Sequence, residues 1–353
     1  MKKKLIYGIA ISILLLMALG IVLWHHHSTN STDNSRKGDV SAAELRKAEH
    51  QVDVHIKRYE KDLFSLDTEH LSEGLQRISK EYPALLIEDG VWNDPEMLSQ
   101  LKGYISDPII REIYADVMRK FPDLKDIETE LDKALGYYLT YFPEDSVPSF
   151  YSLVPGLNTE MPTVYGYGND IFIHLDMYLG KDYKYYSQIG MPLFISQRCE
   201  KKYIATECFT KALVYKHLPQ KAPVSLLDNM ILEGKRLYFT EMMFPEKPEM
   251  DVIEYTLEKY EWAVANQGKV WAYIIEKDYL FSKQNEIIRQ FVDDTPFTKP
   301  FTNSSPGRMG AFIGWKIVQA YMENNPEVSL QMLMQETDSQ AILNKSGYKP
   351  KNR

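Results

Sequence analysis

Apolar positions recur along this chain at two periods, and the switches between them mark its elements. Val52, Val54 and Ile56 alternate with Asp53, His55 and Lys57, which predicts a short opening strand. Spacings of three and four then predict helices over residues 63–82, 97–121 and 127–141. Phe121-Pro122 and Phe142-Pro143 act as stops, because the residue before a proline is driven out of the helical region. Between 148 and 180 the pattern changes. Residues 149–154 and 170–175 read as strands, joined by turns at Gly156 and at Gly166-Tyr167-Gly168-Asn169. From Tyr203 the helical period returns, ending with a helix over 311–324. The predicted architecture is mainly α with a small β-sheet drawn from residues 51–58 and 149–176, an α+β fold. With no internal repeat and no Pro/Gly/Ser-rich divider, residues 51–350 are expected to form one domain.

The N-terminus has a pattern of its own. Lys2, Lys3 and Lys4 precede an uncharged run from Leu5 to Trp24, close to the ~20 residues a helix needs to cross a bilayer. Lysines in front of such a run hold the N-terminus in the cytoplasm and send the rest across. Residues 1–24 therefore read as a signal anchor, a transmembrane helix in the inner membrane with the main domain periplasmic. A cleaved signal peptide is the alternative, for which Ala18-Leu19-Gly20 is a poor site. Residues 25–50 are polar and without pattern, and read as a flexible stalk. Its His25-His26-His27 triplet reads as a solvated tract rather than a metal site.

Composition narrows the function classes. At 353 residues and 44% hydrophobic content the chain builds a large core, and 12% aromatic content is unlike a disordered chain. The net charge of -8 excludes a nucleic-acid-binding role, which needs a basic face. The two cysteines, Cys199 and Cys208, face an oxidising compartment. On one straight helix they stand about 13 Å apart, too far to bond. A disulfide needs a turn between them; two buried thiols are the other possibility.

Catalytic signatures are sparse. There is no G-x-S-x-G elbow and no phosphate loop, and Gly166-x-Gly168 lacks its third glycine. None of the eight histidines stands four residues from another, so no helical turn presents a histidine pair to zinc. One acid is oddly placed. Glu233 lies at helical spacing from Leu226, Met230 and Leu237, on their apolar stripe. It is expected either to pair with Arg236 at the core edge or to be a buried carboxylate whose pKa is raised. Gly234 beside it permits another backbone to approach closely. In the preceding helix Thr206, Thr210, Leu213 and His217 share a face. Histidines at 206 and 210 would make this a zinc-peptidase helix, with Glu207 as general base and Glu233 as third ligand. Threonine hydroxyls are poor zinc ligands, and His217 reads as a cap residue before Pro219. Near the C-terminus Ala311, Gly314, Trp315, Val318 and Met322 share a face, Gly310 and Gly314 allow tight packing, and the preceding Ser304-Ser305 offers a cap.

Several stretches together carry a resemblance. They are Ile56-Lys57-Arg58-Tyr59-Glu60-Lys61-Asp62-Leu63-Phe64, Tyr141-Phe142-Pro143, Leu175-Asp176-Met177-Tyr178-Leu179-Gly180 and Gln197-Arg198-Cys199-Glu200, then Leu227-Asp228-Asn229-Met230-Ile231-Leu232-Glu233-Gly234-Lys235 and Ser305-Pro306-Gly307-Arg308-Met309-Gly310. In combination they resemble the GldB family of gliding-motility lipoproteins of Bacteroidota. That family is distantly similar to predicted zinc-dependent proteases carrying an H-E-x-x-H helix followed by an E-G helix. The resemblance implies a degenerate peptidase-like scaffold in which Thr206, Glu207, Thr210 and Glu233 are vestigial positions, with no metal, no cofactor and no catalysis. It also implies action through envelope or secretion-machinery partners. This chain differs from the lipoprotein pattern, since no cysteine follows the apolar run. The alternatives are a metallopeptidase using Glu207, His217 and Glu233, and a periplasmic peptide- or glycan-binding module with an open groove lined by Tyr and Trp beside Glu233.

Overall fold

The computed structural model describes residues 40–49, 52–86 and 91–350. The expected anchor and most of the expected stalk lie outside these residues, and among the described residues no helix is long and apolar enough to cross a membrane. The folded part begins earlier than the polar pattern suggested. Ala42–Ala48 is a helix opened by a capping box between Ser41 and Glu44, so the expected stalk is corrected over residues 40–49. This helix packs on helix Lys125–Tyr141, where Gly136 leaves room for the Ala48 carbonyl: a Cβ there would stand 2.1 Å from that oxygen. The pattern misses this element because its seven residues are short and its inner face is small.

The fold is mainly helical around one small mixed sheet, in the order β1-β2-β4-β3. The strands are β1 (Ile56–Arg58), β2 (Ser149–Leu153), β3 (Val164–Tyr167) and β4 (Asp170–His174). β1, β2 and β4 run parallel, and β3 pairs antiparallel with β4 at one edge. The opening strand is shorter than its alternation predicted. Val54 N–H donates to Asp132 Oδ1 (2.6 Å) and Ile56 N–H to Glu128 Oε1 (2.9 Å), so carboxylates of the Lys125 helix stand in for a neighbouring strand. β3 was read as part of a turn because of its glycine. Only Gly168 and Asn169 actually form the turn, with Gly168 at φ +60°.

Two expected helices are broken. The 63–82 segment forms Tyr59–Phe64 and Leu71–Ile78, and the 97–121 segment forms Pro95–Ser106 and Pro108–Lys120. Asp107 ends the first of the latter pair and caps the second, accepting from Ile109 N (2.8 Å) and Ile110 N (3.0 Å). Both Phe-Pro stops end helices as expected.

The C-terminal half is organised by a backbone contact. Helices Leu226–Met243 and Met309–Asn324 cross where Gly234 faces Gly314. A Cβ on Gly234 would lie 2.4 Å from the Gly314 carbonyl, and one on Gly314 would lie 1.7 Å from the Met230 oxygen. The stripe Ala311, Gly314, Trp315, Val318 and Met322 is fully buried, as its spacing predicted. The expected serine cap is corrected: Arg308, at φ +55°, occupies the N-cap position without a side-chain cap, and the Ser305 hydroxyl accepts from Thr298 N (3.1 Å) instead.

After β4 the chain turns through Leu175–Tyr178, where Asp176 is wholly buried. Its Oδ2 accepts from Gly156 N (2.8 Å) and Leu157 N (2.6 Å), pinning two consecutive residues at positive φ. Burial raises the Asp176 carboxyl to about 7, while burial lowers the neighbouring His174 imidazole to about 4.

Two outcomes follow from this packing. Gly314→Ala gains helix propensity but forces the helices apart, and should cost about 3 kcal/mol in urea denaturation of the folded region. Between pH 4 and 7 folded Asp176 keeps a proton that the unfolded chain has lost, so this residue makes stability fall as pH rises through that window. His174 acts in the opposite sense between pH 4 and 6.5. Asp176→Asn removes the falling contribution, so the variant should gain on wild type across this window, on the order of 4 kcal/mol by pH 8, with the difference closing by pH 4.

Candidate functional site

The segment expected to be a regular helix with Thr206 and Thr210 on one face is three short pieces. Ile204–Glu207 is α-helical, Cys208–Ala212 is π-helical and Leu213–Lys216 is 3-10. Thr206 and Thr210 still meet: Thr210 Oγ1 donates to the Thr206 carbonyl (2.9 Å) and pairs with Thr240 Oγ1 (2.8 Å) on helix Leu226–Met243. Insertion of a π turn re-aims the residues beyond it, which is why this segment makes two different kinds of contact.

The four positions singled out by the sequence divide into two environments. Glu207 is the deeply buried acid, 2% exposed. Its Oε2 accepts from Thr163 Oγ1, from Tyr178 OH (2.6 Å) and from Lys211 Nζ (2.6 Å), which stands one turn on. Burial pushes this carboxyl above the usual range and Lys211 pulls it back. Glu233 is at the core edge, paired with Arg236 (2.6 Å), so the ion-pair expectation is the one the structure shows. Arg236 also donates through Nε and Nη2 to the Thr210 carbonyl (3.2 and 3.0 Å), which ties the π segment to the Leu226 helix. The Arg236 guanidinium lies 5.2 Å from the centroid of Tyr215.

His217 sits at the end of the 3-10 turn, as its expected cap role requires, and its partners include neither of the two acids. Its ring stacks on Phe142 at 3.8 Å and its Nε2 meets Tyr138 OH (2.9 Å) and Asp145 Oδ2 (3.3 Å). Burial lowers its pKa, opposed by Asp145. Glu207, His217 and Glu233 each have a separate set of partners. Among the described residues no group of three His, Cys, Asp or Glu side chains is placed to hold a metal ion. Cys199 and Cys208 are both buried and free, so the possible disulfide is replaced by two thiols. Cys199 Sγ instead lies 3.8 Å from Met191 Sδ.

Behind Glu207 stands a charged cluster that no periodicity announced. Glu254, at φ +60°, is surrounded by cations. Burial alone would raise its carboxyl, but Lys211, Arg198 and Arg308 hold it below the usual range. Arg198 meets Glu254 (3.5 Å) and Asp294, and Arg308 reaches Asp294 (3.5 Å) and the Ile253 carbonyl (2.6 Å). Two of the stretches that carry the family resemblance, around Arg198 and Arg308, therefore converge on one acid. The resemblance was the available signal for those arginines. Glu254 and Asp294 had none, because their partners are distant in sequence.

In front of the π segment lies an open groove of about 390 Å³ between it and the β3–β4 hairpin. Tyr165, Gly166 and Asn169 line one side, and Lys211, Tyr215 and Lys216 the other. Tyr215 is 50% exposed; Tyr167, on the β3–β4 hairpin but outside the groove's lining, is 68% exposed. The groove lies beside the Glu233–Arg236 pair, where the binding-module alternative calls for an open cleft lined by Tyr and Trp, but its aromatic lining is tyrosine alone.

Fold and site together define a mainly helical α+β protein with an ion-paired interior and an open groove, with tyrosine and lysine in its lining, beside the β3–β4 hairpin. The chain belongs to the family of the gliding motility protein GldB, whose model matches residues 40–350. That makes it a relative of gliding-motility-associated envelope proteins. No curated protein and no solved structure matches it.

The two acids should answer differently to substitution. Glu207→Ala leaves Lys211 and two hydroxyls without their buried acceptor and should cost about 3 kcal/mol. Glu233→Ala, at the core edge where the side chain keeps 21% exposure, should cost less, about 1 kcal/mol. Urea midpoints of the two variants check the order.

Proposed function

We propose that this chain is a non-catalytic envelope protein of the GldB kind, working by binding partners in gliding- or secretion-linked assembly. In this reading the apolar run Leu5–Trp24 anchors it in the inner membrane and residues 40–350 stand in the periplasm. Family membership and the lysines ahead of that run support the placement.

One observation carries the binding role. At the positions corresponding to a peptidase's ligands and base, every side chain already has an internal partner. Thr206 and Thr210 bond within their own segment and to Thr240, Glu207 is held by Thr163, Tyr178 and Lys211, and Glu233 by Arg236. The groove beside them is open and carries Tyr165 and Tyr215 in its lining, a residue type that interfaces favour. A scaffold with its former reacting groups tied down and a neighbouring groove left free is suited to holding a partner rather than cleaving it.

Purified full-length protein equilibrated with zinc should retain less than stoichiometric metal, and in-cell photo-cross-linking from position 215 should capture a defined envelope protein. Stoichiometric zinc that is lost in Glu233→Ala would establish the metallopeptidase alternative and overturn the proposal.

A further inference from the structure

Helix Leu226–Met243 carries a lysine that no carboxylate neutralises. Lys235 is 3% exposed, and among the described residues its Nζ meets two carbonyls and no acid. It donates to the Glu336 carbonyl and, at 3.4 Å, to that of Met334. Both carbonyls stand at the C-terminal end of the short helix Leu330–Gln335. Two acceptors match the two N–H groups of a neutral amine, whereas an ammonium carries a third donor that needs a partner. Burial pulls the pKa of Lys235 down to about 8, opposed by the Glu336 carboxylate. At pH 7.5 about a quarter of it is therefore free base, against roughly one in a thousand of ordinary lysines.

Lys235 belongs to the wall of an open pocket of about 60 Å³, whose apolar surface comes from Leu218, Pro219, Pro223, Ile231 and Leu232. The other charged groups in that wall are Lys221, Asp228 and Glu336. Both acids are taken up by backbone donors. Asp228 Oδ2 accepts from Ser225 N (2.9 Å), and Glu336 Oε1 accepts from Thr337 N and Asp338 N (both 2.8 Å). A buried amine without a counter-charge, in an apolar pocket open to solvent, is the setting in which a lysine attacks carbonyl carbon. With Lys235 neutral, two acids face one cation, so the pocket disfavours an anionic carbonyl compound such as a keto acid. Its size admits a carbonyl group on a short alkyl chain.

We propose that this pocket takes a short, uncharged aliphatic aldehyde, which Lys235 holds covalently as an imine. The Nζ lone pair forms a bond to the aldehyde carbon. The two amine hydrogens then leave with the aldehyde oxygen as water, and the step needs neither oxidant nor reductant. It is reversible, so it gives the chain a capture site rather than a turnover. It is independent of the groove beside the π segment.

The test treats the full-length protein in detergent with limiting butanal and cyanoborohydride at pH 7.5, which fixes any imine as a stable butylamine. Peptide mass spectrometry then gives the labelling rate of each lysine. Lys235 should label at least about tenfold faster than the chain's exposed lysines, because its free-base fraction is so much larger. That advantage should hold below pH 8 and shrink above it, where Lys235 is already deprotonated. Glyoxylate, a small anionic aldehyde, should show an advantage at Lys235 at least about tenfold smaller than butanal does. A lysine that only caps helix Leu330–Gln335 as an ammonium would instead be among the slowest to label, being both buried and protonated. Labelling of Lys235 no faster than exposed lysines, an advantage unchanged up to pH 10, or an equal advantage with glyoxylate each overturns the proposal.

Discussion

Two helices meet at the distance of their backbones, and the candidate site is placed by that meeting. Gly234 and Gly314 remove the side chains that would separate helices Leu226–Met243 and Met309–Asn324. Such a crossing exchanges the conformational cost of glycine for close main-chain packing over a long contact. Trp315, wholly buried next to Gly314, donates through Nε1 to Glu241 Oε2 (2.8 Å), so the same crossing is also joined by a buried polar contact. Because Glu233, Arg236 and Thr240 ride on the first of these helices, the crossing determines where the π segment at 208–212 is held.

The electrostatics of the interior follow from which carboxylates are allowed to stay charged. Glu254 sits among Lys211, Arg198 and Arg308 and is kept ionised, whereas Glu207 shares Lys211 and is pushed toward its neutral form by burial. Two acids thus lean on one lysine, in the way coupled sites divide a charge between them. Buried ion clusters of this kind are costly to break but contribute little net stability compared with apolar packing. Their consequence here is positional. They hold the 253–255 and 294–308 loops together and keep Lys211 directed at the back of the groove.

The elements of this fold were legible in proportion to their length and amphipathicity. The 127–141 and 311–324 helices, the Phe-Pro stops and strands β2 and β4 followed from period and proline alone. The breaks were hidden: Asp107 ends one helix and caps the next inside a continuous apolar period, and β3 looked like a turn because its edge position tolerates Gly166. Of the two readings open for Glu233 the ion pair holds, while the deep burial of Glu207 had no signal in the spacing. Period placed Glu233 on an apolar stripe and left the choice between burial and pairing open; Arg236, three residues on, decides it for the core edge. Glu207 was masked by a segment whose π turn no spacing rule anticipates.

By itself the sequence determined the mainly helical class, the sites where glycines permit close approach, the absence of a histidine pair on a helical turn, and the family, since these depend on local pattern and residue type. Only the tertiary structure decided which acid is buried, that Cys199 and Cys208 stay apart, and that Arg198 and Arg308 meet at Asp294. It also decided that an open groove lies between the π segment and the β3–β4 hairpin. The reason is that burial, ion pairing and sheet order are set by residues tens to hundreds of positions apart, and no local period carries that information.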